Sequence, residues 1–340
     1  MTSSTDGPPE WHHGRGSPDR RGSPDGRLPD FFIVGHAKSG TTALYEMLRR
    51  HPQIFMPANK EPWYFASDMR PRFPSRKAGP LPETLAEYRA LFSGAREDQR
   101  VGEASSSYLW STTAAEAIAE VQPQARIVAI LREPASFLRS LHLQLLQTHV
   151  ESVKDFREAI SLEGERRQGR RIPRRSHRPQ LLLYSEHVRY VEQLRRYHEV
   201  FASEQVLVLI YDDFRADNEL TVRRVLGLLD VSQDEPLETI EANPSVQMRS
   251  QALDGLVHSV SVGRGPAGRA ARRTVKALTP QRLRRRALRV TQQRVVHAPP
   301  PAVDERFMNE LRRRFAPEVA ALSDYLGRDL VSLWGYDRID

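Results

Sequence analysis

Phe31–Leu48, FFIVGHAKSGTTALYEML, decides the fold. Phe31, Phe32, Ile33 and Val34 form the short unbroken apolar run of a parallel strand covered on both faces. Gly35 ends the run. After the loop Gly35-His-Ala-Lys-Ser-Gly-Thr-Thr, the apolar residues Ala43, Leu44, Met47 and Leu48 recur at helical spacing. The first-turn N–H groups of that helix have no partners inside it and sit at the positive end of its dipole. An anion, above all a phosphate, fits there.

The Walker A pattern G-x-x-x-x-G-K-[ST] narrows the kind of anion. Gly35 and Gly40 have its spacing, but Thr41 stands where the Walker lysine would, and Lys38 lies two residues before the second glycine. A lysine after the glycine reaches the β and γ phosphates of a triphosphate. One inside the turn lies beside the first phosphate and whatever is bonded to it. A turn that merely tolerates two glycines would bind nothing, yet it would not need a lysine and two hydroxyls beside them.

Arg126–Gln147, RIVAILREPASFLRSLHLQLLQ, repeats the logic with an apolar strand, Arg132, and a helix beginning near Pro134. From those positions Arg132 and Ser140 converge on one anion at the sheet edge, the arginine as a fork of donors and the serine as a hydroxyl. Alone, Arg-Glu-Pro is as often a solvated helix start. Two such elements after two parallel strands are more than coincidence.

On these two motifs the chain resembles the sulfotransferases that use 3′-phosphoadenosine 5′-phosphosulfate (PAPS), in their bacterial and carbohydrate-modifying branches. The resemblance runs on through HPQIFMPANKEPWYF (51–65), GEASSSYL (102–109), YVEQLRRYHEVFASEQVLVLIYDDF (190–214) and LSDYLGRDLVSLWGY (322–336). It implies a P-loop-like, doubly wound α/β sheet flanked by helices. It also implies that Lys38, Ser39, Gly40, Thr41 and Thr42 hold the 5′-phosphosulfate, and Arg132 and Ser140 the 3′-phosphate. Lys38 would stabilise the leaving group. Glu61, in NKEPWYF, matches the glutamate that serves related enzymes as base, and Glu103, after a short strand at 100–102, is the rival. Unaided by the resemblance, Glu61 reads as a surface carboxylate paired with Lys60; His36 either touches the sulfate or is a loop histidine turned to solvent, and the second is the expectation. The related enzymes often have lysine after the Glu103 position and arginine three residues before the serine of the second element. Here those residues are Ala104 and Phe137, with Arg139 as a substitute for the second.

The alternation of strands and helices over 340 residues suits a single domain, with a further strand at 206–210 and helices at 185–201, 218–229 and 304–326. Residues 1–27, rich in Ser, Pro, Gly and Arg, read as a disordered tail, leaving 28–340 as the domain. The formal charge of +8 is concentrated in basic segments near 166–180 and 262–300, expected to be mobile. The first would gate the acceptor site and the second lie by the 3′-phosphate, unless both serve an anionic glycan or membrane surface or are only solvated faces. Acceptor specificity is expected in loops at 60–82 and 148–183. Trp63, Tyr64, Phe65, Tyr108 and Trp110 either wall the acceptor site or pack the core.

With no cysteine and neither a signal-like apolar core nor a membrane span, the expectation is a cytoplasmic, bacterial enzyme. It would need no metal and would act on a carbohydrate, glycolipid or other small alcohol without a specific nucleic-acid partner. A P-loop kinase or NTPase is the alternative, with Asp212 and Asp213 after the 206–210 strand as its nearest magnesium ligands. A basic nucleic-acid-binding protein is a weaker one, because the aromatic residues are not interleaved with the arginine runs.

Overall fold

The computed structural model describes residues 26–70, 81–174, 176, 178–237 and 302–339, together with short paired strands at 247–248 and 297–298. The tail up to residue 25 and the basic segment near 262–300 otherwise lie outside the described residues. Arg27, assigned to the tail from the sequence, is docked: its guanidinium donates to the carbonyls of Arg96, Glu97 and Gln99.

Five parallel strands form the central sheet: β1 (Phe31–Gly35), β2 (Ile54–Phe55), β3 (Arg100–Ala104), β4 (Arg126–Leu131) and β5 (Val206–Ile210), in the order β2-β3-β1-β4-β5. Phe31 lies beside Gly102 on one flank and Arg126 on the other. Strand parity divides the core. Phe32, Val34, Val101, Ile127 and Ala129 face one layer, and Phe31, Ile33, Ala104, Val128 and Ile130 the opposite one. The helices α1 (Thr41–Arg49) and α9 (Asn218–Leu228) cover the second face. The first is covered by α2 (Leu85–Ala90), α3 (Ala114–Val121), α4 (Pro134–Gln147), α7 (Tyr190–His198) and the 22-residue α10 (Glu305–Leu326). This is the P-loop-like doubly wound arrangement.

The chain runs from β1 outward to β2, returns through β3, then passes β1 to reach β4. The carboxyl ends of β1 and β4 are therefore neighbours at the switch of direction, where ligands bind in such sheets. His36 N–H donates to the Ile130 carbonyl at 2.8 Å, tying the loop after β1 to β4. Gly35 permits the crowding on its other side, since a Cβ there would lie 2.6 Å from that of Leu109.

Two regions depart from the sequence reading. Residues 185–201 are not one helix: a 3-10 turn at Tyr184–Val188 precedes α7, with Arg189 (φ −77°, ψ 59°) breaking the register. The stretch 148–183 is not merely a loop, because it holds α5 (Phe156–Ser161) and α6 (Glu163–Arg167). Arg166, in the first basic run, is fully buried and pairs with the equally buried Glu151 at 2.7 Å. Its neighbours Arg170, Arg171 and Arg174 are exposed. Among the described residues no helix is long and apolar enough to cross a membrane.

Candidate active site

A cleft of about 670 Å³ opens at the carboxyl ends of β1 and β4. Lys38, Gly40, Thr41 and Thr42 line it from the first loop and helix, Arg132, Ser140 and Gln144 from the second element, and Lys60, Glu61 and Ser106 from the wall over β3. Tyr211, Phe214 and Arg215 of α8 (Tyr211–Ala216), with Asn218, close the far side. Four of these side chains are cationic and one, Glu61, is anionic.

The two strand–loop–helix elements, at Lys38 and at Arg132, are joined. Arg132 Nη1 donates to the Lys38 carbonyl at 3.0 Å, and its guanidinium lies 4.8 Å from the centroid of the Tyr211 ring. The Arg132 carbonyl in turn accepts from Tyr190 Oη at 2.9 Å. Glu133 caps α4 by accepting from the N–H groups of Ala135 and Ser136, and the Tyr336 hydroxyl holds that carboxylate from the C-terminal region at 2.7 Å. Lys38 has φ 65° and Gly40 φ 90°. A Cβ at Gly40 would press against the Phe214 ring at 2.9 Å, so glycine is needed for both conformation and space. Burial, and then the Arg132 charge, hold the Lys38 ammonium below its ordinary value. Ser39 is fully buried and its hydroxyl has no hydrogen-bond partner.

Glu61 is no free surface carboxylate. It accepts from the Ser106 N–H (3.0 Å) and hydroxyl (2.7 Å), from Trp63 Nε1 (2.7 Å) and from Lys60 Nζ (3.1 Å). Burial alone would raise its pKa, but the Lys60 charge and these donors outweigh burial and leave it below the usual glutamate value. Its backbone is left-handed at φ 64°, and its N–H donates to the Ala104 carbonyl at 3.0 Å, which fixes the carboxylate over the end of β3.

Glu103 is placed differently. It is fully buried on the Val101 face of β3, accepts from Tyr88 Oη at 3.0 Å, and does not line the cleft. Burial pushes its carboxyl up to about 7, against hydrogen bonds with Ser105, Tyr108 and Tyr88.

The expectation for His36 is overturned. The ring is 2% exposed, packs 5.0 Å from the Phe137 ring and 5.5 Å from Tyr190, and its Nε2 lies 2.7 Å from Gln193 Oε1. Gln193 Nε2 donates to the Glu186 and His187 carbonyls, so its oxygen faces His36, which must donate. Turning inward lets this apolar layer enclose the ring, and burial pushes its pKa down to about 4. Below pH 6.5 the unfolded chain takes up a proton that the folded one refuses. Stability contributed by His36 is thus complete above pH 6.5 and falls by about 3 kcal/mol as the pH drops to 4. Urea midpoints between pH 7 and 4.5 are expected to decline less steeply in His36→Asn than in the parent; equal slopes would refute this.

The aromatic residues divide. Tyr64 stacks on Tyr88 (4.6 Å between centroids), Phe65 and Tyr108 are core, and Trp110 stacks on His187 (4.0 Å), whereas Trp63 sits against Glu61 with the Arg178 guanidinium 4.5 Å from its ring. Phe137 is buried in the core rather than facing an anion. Asp212 accepts from Trp334 Nε1 (2.9 Å), Asp213 binds Arg328 through both oxygens, and neither lines the cleft. Sequence reasoning missed Lys60, Ser106, Gln144 and the α8 side of the cleft as lining residues.

Residues 29–235 match the sulfotransferase family. Human carbohydrate sulfotransferase 15 is 28% identical over 169 residues, which cover 39% of this chain and 30% of that protein. The membrane-associated sulfotransferase kil1 of Dictyostelium discoideum is 30% identical over 107 residues, 32% of this chain and 21% of that one. The matched stretches thus span less than a third of these relatives. A solved sulfotransferase from Alicyclobacillus acidocaldarius superposes with a TM-score of 0.62 at 27% identity, covering 90% of this chain and 98% of that one.

Proposed function

This chain belongs to the sulfotransferase family, and we propose that it transfers the sulfuryl group of PAPS to the hydroxyl of a carbohydrate, glycolipid or other small alcohol. The observation that carries this reading is the hydrogen bond from Arg132 to the Lys38 carbonyl, which makes one cationic cleft of the two anion-binding elements, with Glu61 on its wall. The donor set fits a doubly phosphorylated nucleotide. Among the described residues four cationic side chains line the cleft, with Thr41, Thr42 and Ser140 among them, and the buried Ser39 hydroxyl, in the same loop but not in the lining, has no partner.

When bound, PAPS supplies an activated sulfur–oxygen bond. The first-turn N–H groups of α1, Thr41 and Thr42 would hold the 5′ end, and Arg132 and Ser140 the 3′-phosphate. Lys38 would neutralise the phosphate oxygen that keeps the bonding electron pair. Glu61, ionised at neutral pH, accepts the proton of the attacking hydroxyl. Trp63 orients the carboxylate through its indole N–H.

Calorimetry tests the reading. Adenosine 3′,5′-bisphosphate is expected to bind at least about tenfold more tightly than ATP with Mg²⁺, and Arg132→Ala to lose that preference. Tighter binding of the magnesium nucleotide would favour the kinase alternative and reject this one.

A further inference from the structure

Lys60 and Glu61 are adjacent in sequence, yet both side chains face the cleft and meet at 3.1 Å. The backbone explains this. Glu61 (φ 64°) and Trp63 (φ 52°) are both left-handed, which folds the segment back on itself, and the Glu61 N–H is fixed to β3. Lys60 Nζ also lies 3.4 Å from the hydroxyl of Thr42 in the first turn of α1, so its ammonium links the phosphate-binding helix to the base. An ammonium has three N–H groups, and these two contacts use two of them. The β3 strand offers no cation here, because the residue after Glu103 is the buried Ala104. Of the other cleft cations, Arg132 is engaged with Lys38 and Tyr211, and Arg215 belongs to the opposite wall.

We infer that Lys60 is a second catalytic cation, binding the oxygens of the group in transfer. The inference rests on the sulfotransferase reading above and deepens it. In the resting site the Glu61 carboxylate neutralises Lys60. During transfer the acceptor oxygen forms its bond to sulfur while its proton passes to Glu61. The bond between sulfur and the bridging oxygen breaks, and its electron pair stays on the phosphate. Protonation of Glu61 removes the charge that had offset Lys60, so the ammonium attracts the sulfuryl oxygens more strongly as transfer proceeds. An interaction that strengthens along the reaction raises turnover rather than affinity alone.

The test compares the full chain with Lys60→Met and Lys60→Arg. Turnover is followed as bisphosphate release from PAPS with water as acceptor, and calorimetry measures PAPS and adenosine 3′,5′-bisphosphate separately. Lys60→Met is expected to lose about 10²-fold in turnover and about tenfold in PAPS affinity, with the bisphosphate Kd unchanged within about twofold. Lys60→Arg should recover most of the turnover. In carbon-13 NMR titrations the Glu61 carboxyl should move upward in Lys60→Met, its main charge partner gone. Turnover within about threefold of the parent, or equal losses for PAPS and the bisphosphate, would overturn the assignment. If the parent binds neither nucleotide, the sulfotransfer reading fails and takes this inference with it. Bisphosphate binding retained by a Lys60→Met chain of parental turnover sinks the Lys60 role alone.

Discussion

Lys38→Met is expected to lower turnover by about 10²- to 10³-fold, the loss that follows removal of one preorganised donor from a point where charge develops. Stability should move the other way. The ammonium is held below its ordinary value first by burial and then by the Arg132 charge, so keeping it protonated costs the empty protein stability. Methionine removes that cost, keeps the apolar stem and makes the same demand on the left-handed backbone. The unliganded variant should therefore melt at or slightly above the parental temperature, while its stabilisation by adenosine 3′,5′-bisphosphate shrinks. A variant with parental turnover, or one that simply unfolds, contradicts this account of Lys38.

Glu61→Gln should cost between about 10² and 10⁴ in turnover with little loss of nucleotide affinity, the range expected when a general base is removed. The pH profile separates it from the rival carboxylate. Glu61 is held below the usual glutamate range despite its burial, so it stays ionised at pH 5 and above, and kcat/KM should be level from pH 5 to 7. Were Glu103 the base, its carboxyl near 7 would make the rate fall with acid throughout that interval. Glu103→Gln is expected to retain most activity at pH 7, because Tyr88 can hydrogen-bond an amide oxygen there and the residue does not reach the cleft. A sloping profile together with an inactive Glu103→Gln would reverse the assignment.

The strands at 31–34, 127–131 and 206–210 were legible because buried parallel strands are written as apolar runs that few other elements imitate. Glycine and proline marked where those runs turn into helices. Glu103 shows what strand parity adds: it lies two residues from the core residue Val101 and thus on the same buried face of β3, a signal present in the sequence. Lys60 was harder. Neighbouring residues in an extended segment point apart, and only the left-handed backbone at Glu61, unannounced by glycine or asparagine, brings the pair together. The inward turn of His36 depends on Gln193, far along the chain, and no local pattern encodes that contact. The break at Arg189 and the helices within 148–183 follow from tertiary packing that overrides weak local preference.

The bond between Arg132 and the Lys38 carbonyl makes the two halves of the cleft a single latch. On the proposed reading, a guanidinium drawn toward one phosphate of the nucleotide would pull on the turn at the other end, and the influence would be mutual by linkage. Shortened nucleotides carrying only one phosphate should therefore forfeit more affinity than the missing group's own contacts supply. Discrimination against mononucleotides would then belong to the joined pair, and neither loop would have it by itself.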